Sequence, residues 1–431
     1  MAPVLKVAVI GAGVSGLATA QALKTEGHQV VVYEKSDQLG GTWVYNPQVE
    51  SDPLGLDPDR EIIHSSLYYS LHTNLPYQLM GFSDYPFAIR KYSDSSVFPG
   101  HEEVLDFLNE FAREFGLVKL IRFKTEVVRV ERVGLRNDQW VVESRADKVS
   151  SDEVFDAVVV CNGHYTQPSL ADFPGIEKWP GKQMHSHNYR VPEPFQDQIV
   201  VVIGDGPSAI DISLEISKVA KEVHLSSKSP DVKIRKLDCV DSMWQHSKID
   251  RVDGNGEVIF QECASVHAYH PPLYRYQYYF PFLKTEEIVA VDDSRVGPLY
   301  KHIFSPQLAP NLSFVGLPYN STPVFLTIDL QAKWIANVLS GKTLLPSEEE
   351  MLANIQEHYR YMDDKGIPKQ YTHNLGHEFV YSDWLASQLG LTGADEQTRS
   401  VLKRYSKFVV EKGLGRCREW RLDSVLQEHE S

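Results

Sequence analysis

The chain has 431 residues, enough for two or three domains with a large core, and its 42% hydrophobic and 11% aromatic content is that of an ordinary globular protein. A formal net charge of −15 argues against nucleic acid and anionic membrane surfaces as partners, since both select basic patches. The four cysteines, Cys161, Cys239, Cys263 and Cys417, are scattered with no C-x-x-C spacing, which argues against a disulfide framework or a thiol-redox pair and makes reduced cytosolic thiols the expectation.

The N-terminus, MAPVLKVAVIG, enters an apolar strand over Val4–Ile10 with no signal-type leader. No apolar run approaches the ~18 residues of a membrane span, so a cytoplasmic protein without an anchor is expected. The strand runs into Gly11-x-Gly13-x-x-Gly16, which opens a helix of small and apolar residues; a second strand, Gln29–Tyr33, follows and ends on Glu34. Gly11 suits the tight turn, Gly13 lets backbone approach a pyrophosphate, and Gly16 permits close helix–strand packing. The helix N-terminus points partial positive charge at the phosphates, and Glu34 suits a ribose 2′-hydroxyl while repelling a 2′-phosphate.

The pattern recurs in mid-chain. A strand over Ile199–Ile203 leads into Gly204-x-Gly206-x-x-Ala209, and the next strand, Glu222–Leu225, is followed by Ser226, Ser227 and Lys228. Hydroxyls plus a cation suit a 2′-phosphate, so this unit favours NADPH; a plain solvated role for Lys228 is the alternative. Opposite 2′ chemistry in two such units implies FAD in the first and NADPH in the second, and hence an oxidoreductase. The expected fold is α/β, with two Rossmann-like dinucleotide-binding domains, the second inserted in the first: residues 1–165 and 284–431 for FAD, 166–283 for NADPH. After the insertion, Leu312–Val315 reads as a returning strand, with a helix following it and another from Pro346 to about Tyr361.

Between the two turns lies WPGKQMHSHNY. Gly181, His185 and Tyr189 resemble the F-x-G-x-x-x-H-x-x-x-F/Y signature of the flavin-containing monooxygenases, with Trp179 in place of Phe. EKSDQLGGTWVYN, SLHTNLP, FPGHEEVLDFLNEFAREF and VVVCNGHYTQP are similar to further blocks of that family in the same order, over about Val7 to Leu391. The likeness is greatest to the plant branch that oxygenates sulfur. It implies that NADPH reduces FAD, that dioxygen adds at flavin C4a, and that the hydroperoxide is attacked by a soft nucleophile such as a small thioether. S-alk(en)yl-cysteine derivatives and methylthioalkyl glucosinolates are the substrates the branch suggests. It further implies Asn74 as the catalytic residue, its amide hydrogen-bonding the hydroperoxide and NADP⁺. On the residues alone, Asn74 also reads as a turn former before Leu75-Pro76. By the same resemblance, Gly11, Ala12, Gly13, Val14, Ser15, Gly16, Glu34, Lys35, Gly41, Thr42, Trp43, Thr73, Asn74, Leu75 and Val127 hold FAD, while Gly204, Asp205, Gly206, Pro207, Ser208, Ala209, Asp211, Ser227 and Lys228 hold NADPH. Asp211 otherwise serves the first turn of its helix, and no metal site is expected. His185 and His187 are spaced neither as a zinc pair nor as a helical i,i+4 pair, so a structural role is expected for both.

Leu273–Tyr276 falls where the family usually reads C-T-G-Y, yet the chain here is AYHPPLYRY. Pro271 and Pro272 cannot donate to a central ladder, so altered scaffold, consistent with a compensated frame displacement in the coding DNA, is favoured over a substrate pocket. Other functions remain open from sequence: N-oxygenation, an auxin-pathway-type activity, or an uncoupled or decayed flavoprotein. A flavin-dependent disulfide reductase would need the cysteine pair that is missing.

Overall fold

The computed structural model describes residues 3–87, 97–133, 139–227, 234–237, 240–261, 265–267, 275–284, 288–320, 323–376 and 379–421. The chain divides into two compact units, one of residues 1–44, 75–164 and 278–402, the other of 45–74, 165–277 and 403–431.

The first unit is built on a parallel sheet of five strands, in the order Leu312–Phe314, Ala157–Val160, Lys6–Ile10, Gln29–Tyr33, Ile121–Arg122. Its central strands are nearly continuous apolar runs, as a sheet buried on both faces requires: Val7, Ala8, Val9 and Val158, Val159 are fully buried. The Val14–Thr25 helix packs on this sheet through Gly16, Leu17, Ala18, Ala20 and Leu23, and small residues bring it close. The Val324–Leu339 helix joins the same core with Trp334 and Ile335. An antiparallel meander of Thr125–Arg132, Trp140–Ala146 and Val149–Phe155 alternates buried and exposed residues where it turns one face to solvent. The predicted helix near Pro346 spans Glu348–Asp364; Ser347 caps it, its Oγ accepting from Glu350 N while the Glu350 carboxylate accepts from Ser347 N.

The second unit repeats the theme with parallel strands Ile199–Ile203, Glu222–Ser226 and Met243–His246, and an antiparallel edge of Arg235–Lys236. The Pro207–Ile216 helix covers it with Ala209, Ile212 and Ile216. A separate ladder joins Gln167–Ser169 to Arg275–Gln277. The C-terminal end of the unusual tyrosine-rich stretch thus forms a strand, with Tyr276 opposite Pro168 and edge-on to His185. Residues 268–274, with Pro271 and Pro272, lie outside the described residues. No helix among the described residues is long and apolar enough to cross a membrane.

Residues 45–74 and 403–421 pack with the second unit, whereas their positions along the chain suggested the first. The signature segment explains the former. His187 Nε2 meets Glu50 Oε1 at 3.1 Å, and Glu50 Oε2 takes Arg60 Nε at 2.7 Å, with all three side chains buried. Asn188 Oδ1 accepts from Glu50 N, His185 N donates to Pro53 O, and Arg190 donates to the carbonyls of Asn46 and Ser65. His185, through its main-chain N, and His187, through its imidazole, therefore fasten a loop. Burial pushes the Glu50 carboxyl up, but the hydrogen bonds from His187 and Arg60 overcome this and hold it below the usual range.

Candidate cofactor and active site

In the first unit, strand ends and a helix start bring the predicted residues together. Gly11 N donates to Tyr33 O at 2.8 Å, and Gly11 has φ +103°, a region that favours glycine. A Cβ on Gly16 would lie 1.8 Å from Gly11 O, so the helix can approach its strand only without a side chain there. Gly13 starts the helix and faces a second glycine backbone: a Cβ on Gly41 would stand 2.9 Å from Gly13 Cα. Ala12, Val14 and Ser15 complete the turn, and Gly41, Thr42 and Trp43 form a single 3-10 turn. The Glu34 carboxylate is buried at the end of its strand. Its Oε2 accepts from Ala12 N at 2.8 Å and its Oε1 accepts from Ser36 N at 2.9 Å, which fixes the acid against the turn. Oε2 retains a lone pair for a ribose hydroxyl. Lys35 is exposed beside it, and Val127 is buried in the meander. A side-chain-free turn at a helix N-terminus with a fixed carboxylate fits the adenosine diphosphate half of FAD.

In the second unit, Gly204 N donates to Ser226 O at 2.8 Å with Gly204 at φ +117°, and Gly206 starts the helix with Pro207 next. Asp205, Gly206, Pro207 and Ser208 are exposed while Ala209 is buried. A Cβ on Gly206 would meet nothing within 4 Å. The turn therefore has open space where a pyrophosphate would approach the helix start, and the residues fit a pyridine dinucleotide. Ser227 is buried and donates through Oγ to Asp205 Oδ2 at 2.7 Å. Lys228 lies outside the described residues.

Asp211 faces its own chain. Tyr68 donates its hydroxyl to Oδ2, and Arg418 grips both oxygens, at 2.8 and 2.9 Å. Its neighbour Glu215 accepts from Ser70 Oγ at 2.5 Å and from Tyr189 at 2.6 Å. Burial, with the Asp211 charge behind it, raises the Tyr68 phenol far above its usual value, so it stays a proton donor. Thr73 is buried, Leu75 half-buried and Asn74 exposed. The Asn74 carbonyl accepts from Tyr405, whereas its side chain makes no hydrogen bond with described residues. Tyr68, Glu215, Tyr405 and Arg418 were not singled out by sequence, because each acts across long chain separation and none sits in a motif.

Buried titratable groups elsewhere have quiet chemistry. His302, His358 and His373 line a cavity of about 360 Å³ in the first unit. His373 Nε2 accepts from Val296 N, so Nδ1 carries the proton toward His302 Nδ1 at 3.0 Å. Burial lowers His302 to about 3, which keeps it neutral. Among the described residues, no group of His, Cys, Asp and Glu could hold a metal ion.

Residues 4–238 and 257–423 match the flavin-binding monooxygenase-like family. The chain belongs to that family. It is 51% identical over 395 residues to the flavin-containing monooxygenase FMO GS-OX-like 2 of Arabidopsis thaliana, covering 89% of this chain and 84% of the relative. The structure of S-allyl-L-cysteine S-oxygenase from Allium sativum matches with a TM-score of 0.94 and 48% identity, covering 100% of this chain and 98% of that one. Tmm from Pelagibacter sp. strain HTCC7211 follows at a TM-score of 0.78 and 26% identity, over 94% of this chain and 91% of that one. The protein is thus a flavin-containing monooxygenase of the plant GS-OX group with a Rossmann-type flavoprotein fold, and its cofactors are FAD and NADPH.

Proposed function

We propose that this chain is an NADPH- and oxygen-dependent S-oxygenase that converts a small thioether, of the S-alk(en)yl-cysteine or methylthioalkyl glucosinolate kind, to its sulfoxide. The observation that carries the reading is the full-length likeness to S-allyl-L-cysteine S-oxygenase. The balanced reaction consumes the thioether, dioxygen, NADPH and a proton, and yields the sulfoxide, water and NADP⁺. Bound flavin supplies the chemistry of passing two electrons from NADPH to dioxygen and one oxygen atom to sulfur.

The chain's own residues bind and orient. Gly11 to Gly16 and Gly41 hold the diphosphate of FAD, and Glu34 Oε2 holds its ribose, with Lys35, Thr42, Trp43, Leu75 and Val127 as further FAD contacts. Gly204, Gly206, Ser208 and Ala209 hold the pyrophosphate of NADPH, with Ser227 and Lys228 at the 2′-phosphate. Asn74 is exposed, its side-chain amide bonds no other described residue, and it is the residue proposed to hydrogen-bond reacting oxygen and nicotinamide. No nucleophile or strong base is required, in keeping with neutral buried histidines. The unpaired buried thiols Cys161 and Cys417 support a reducing, cytoplasmic setting.

The test is to incubate the FAD-loaded protein with NADPH, oxygen and S-allyl-L-cysteine and to measure sulfoxide, NADPH consumed and hydrogen peroxide. Sulfoxide in near one-to-one ratio with NADPH is expected. A panel in which amines gain oxygen and thioethers do not would replace the S-oxygenase reading with an N-oxygenase. Consumption of NADPH with peroxide as the sole product would mean an uncoupled oxidase.

A further inference from the structure

Among the described residues, side chains elsewhere in the second unit hold the Ser70–Asn74 loop at Ser70, His72 and Asn74. Ser70 Oγ donates to Glu215 on the Pro207–Ile216 helix, Arg418 Nη2 donates to His72 O at 2.9 Å, and Tyr405 donates its hydroxyl to Asn74 O. The grips at His72 and Asn74 come from the C-terminal segment, far from the loop in sequence. That segment is itself anchored. The Arg418 guanidinium makes a two-pronged pair with Asp211 on the same helix, and Gly415 is bare enough for its face to lie against Ile210 and Leu214. Trp420 and Cys417 are buried, Trp420 packs edge-on to Tyr405 at 5.7 Å, and the Cys417 thiol shares a hydrogen bond with Tyr405.

We propose that Tyr405 and Arg418 are positioning residues for Asn74: they fasten the main chain of its loop to the helix at the nucleotide turn, so that the Asn74 side chain, which bonds no other described residue, keeps one orientation. This rests on the reading of Asn74 as the residue at the reacting oxygen. The amide can serve that role only if it is unpaired, and an unpaired exposed side chain on a short loop is held by nothing but its backbone. Tyr405 binds that residue's own carbonyl, and Arg418 binds the carbonyl two residues earlier. Arg418 is shared with Asp211, so the loop and the helix bearing the nucleotide turn are joined through one side chain.

The test compares Tyr405→Phe, Arg418→Gln, Arg418→Lys and Asn74→Ala in the FAD-loaded protein. Peroxide released per NADPH consumed is measured without any thioether, which makes the result independent of substrate identity. Hydrogen exchange of peptides covering 70–76 is followed without turnover. Tyr405→Phe removes the hydroxyl that bonds Asn74 O and the Cys417 thiol, and the lost bond to the loop alone should quicken exchange at 72–75 about five-fold and raise peroxide release by a similar factor. Arg418→Gln should do more, and Arg418→Lys should restore part of the loss because it keeps the charge without the fork. In the Tyr405 and Arg418 variants the NADPH KM and the FAD content should stay within two-fold of the parent protein, which a merely destabilised fold would not allow. Unchanged exchange and unchanged peroxide in Tyr405→Phe and in either Arg418 variant would overturn the proposal. So would a peroxide rise that only follows lost FAD. If Asn74→Ala leaves peroxide release unchanged, the assignment of Asn74 fails, and this proposal about its placement falls with it. If Asn74→Ala raises peroxide release and the other variants do not, the clasp alone fails.

Discussion

Replacing Glu50 by Gln should destabilise the second unit out of proportion to so small a change. The carboxylate is buried and accepts from Arg60 Nε at 2.7 Å, from His187 at 3.1 Å and from Ile63 N at 3.2 Å. The glutamine side chain has the same shape, but its amide nitrogen would turn donors toward donors. Arg60, whose side chain is 4% exposed, would keep its charge with only Asp57 O and the Gln167 amide oxygen as acceptors. Removing one partner of a buried pair costs about 3–5 kcal/mol, and the surviving neutral acceptors place this case at the lower end, about 3 kcal/mol. For a unit of this size that is a fall in Tm of about 6–12 °C. The pH dependence carries a sign. The folded carboxyl is depressed below its unfolded value, so its stabilisation is full above roughly pH 4.5 and is lost as pH falls through the folded value. The gap between parent and variant should therefore be widest near neutral pH and close in acid. Denaturant unfolding followed at about pH 7 and below about pH 4 measures both. A difference under about 0.5 kcal/mol at neutral pH, or one that grows in acid, would refute the account of the signature segment as a charged fastening.

Two glycines of the paired fingerprints should respond in opposite ways. Gly206→Ala has open space for its Cβ and an ordinary extended backbone at φ −76°, so Tm should hold within about 1 °C while the NADPH KM rises at least roughly ten-fold. In contrast, Gly16→Ala would force a Cβ to 1.8 Å from Gly11 O, and the purified protein should lose FAD and several degrees of Tm. Burial pushes the Cys161 thiol up to about 12, so an alkylating reagent at about pH 8 should label it only after unfolding.

The parts of the fold that sequence revealed are those whose cause is local. Strand, glycine turn, helix and acid lie within one short stretch, and each residue's role follows from its neighbours: Gly16 from the helix crossing, Glu34 from the strand end it occupies. The same holds for the second fingerprint, where strands over Ile199–Ile203 and near Glu222 stand where expected. What sequence did not show is where distant segments settle. Residues 45–74 follow directly on a flavin-type turn, and residues 403–421 follow the last strand of the first unit by some ninety positions, yet both pack in the second unit. Their placement depends on Glu50, Arg60, Tyr405 and Arg418, polar residues with no periodicity, each of which finds its partner across the fold.

Asp211 shows how this limits the reading of a motif by position alone. Near the start of a helix that opens on a nucleotide turn, a carboxylate is favourable with or without a ligand. Sequence could not separate a group that meets the nucleotide from one that meets the chain. In the structure both carboxylate oxygens are engaged, by a phenol whose proton is secured by burial and by a guanidinium fork. An acid so committed has little left to offer an anionic pyrophosphate, which its charge would in any case repel. Its position makes better sense as a mooring: it lies one helical turn from the residues that would bind phosphate, and it fixes the segment that in turn fixes Asn74. On the clasp proposed above, the residue that resembles a cofactor contact serves the chemistry through Arg418, at one remove.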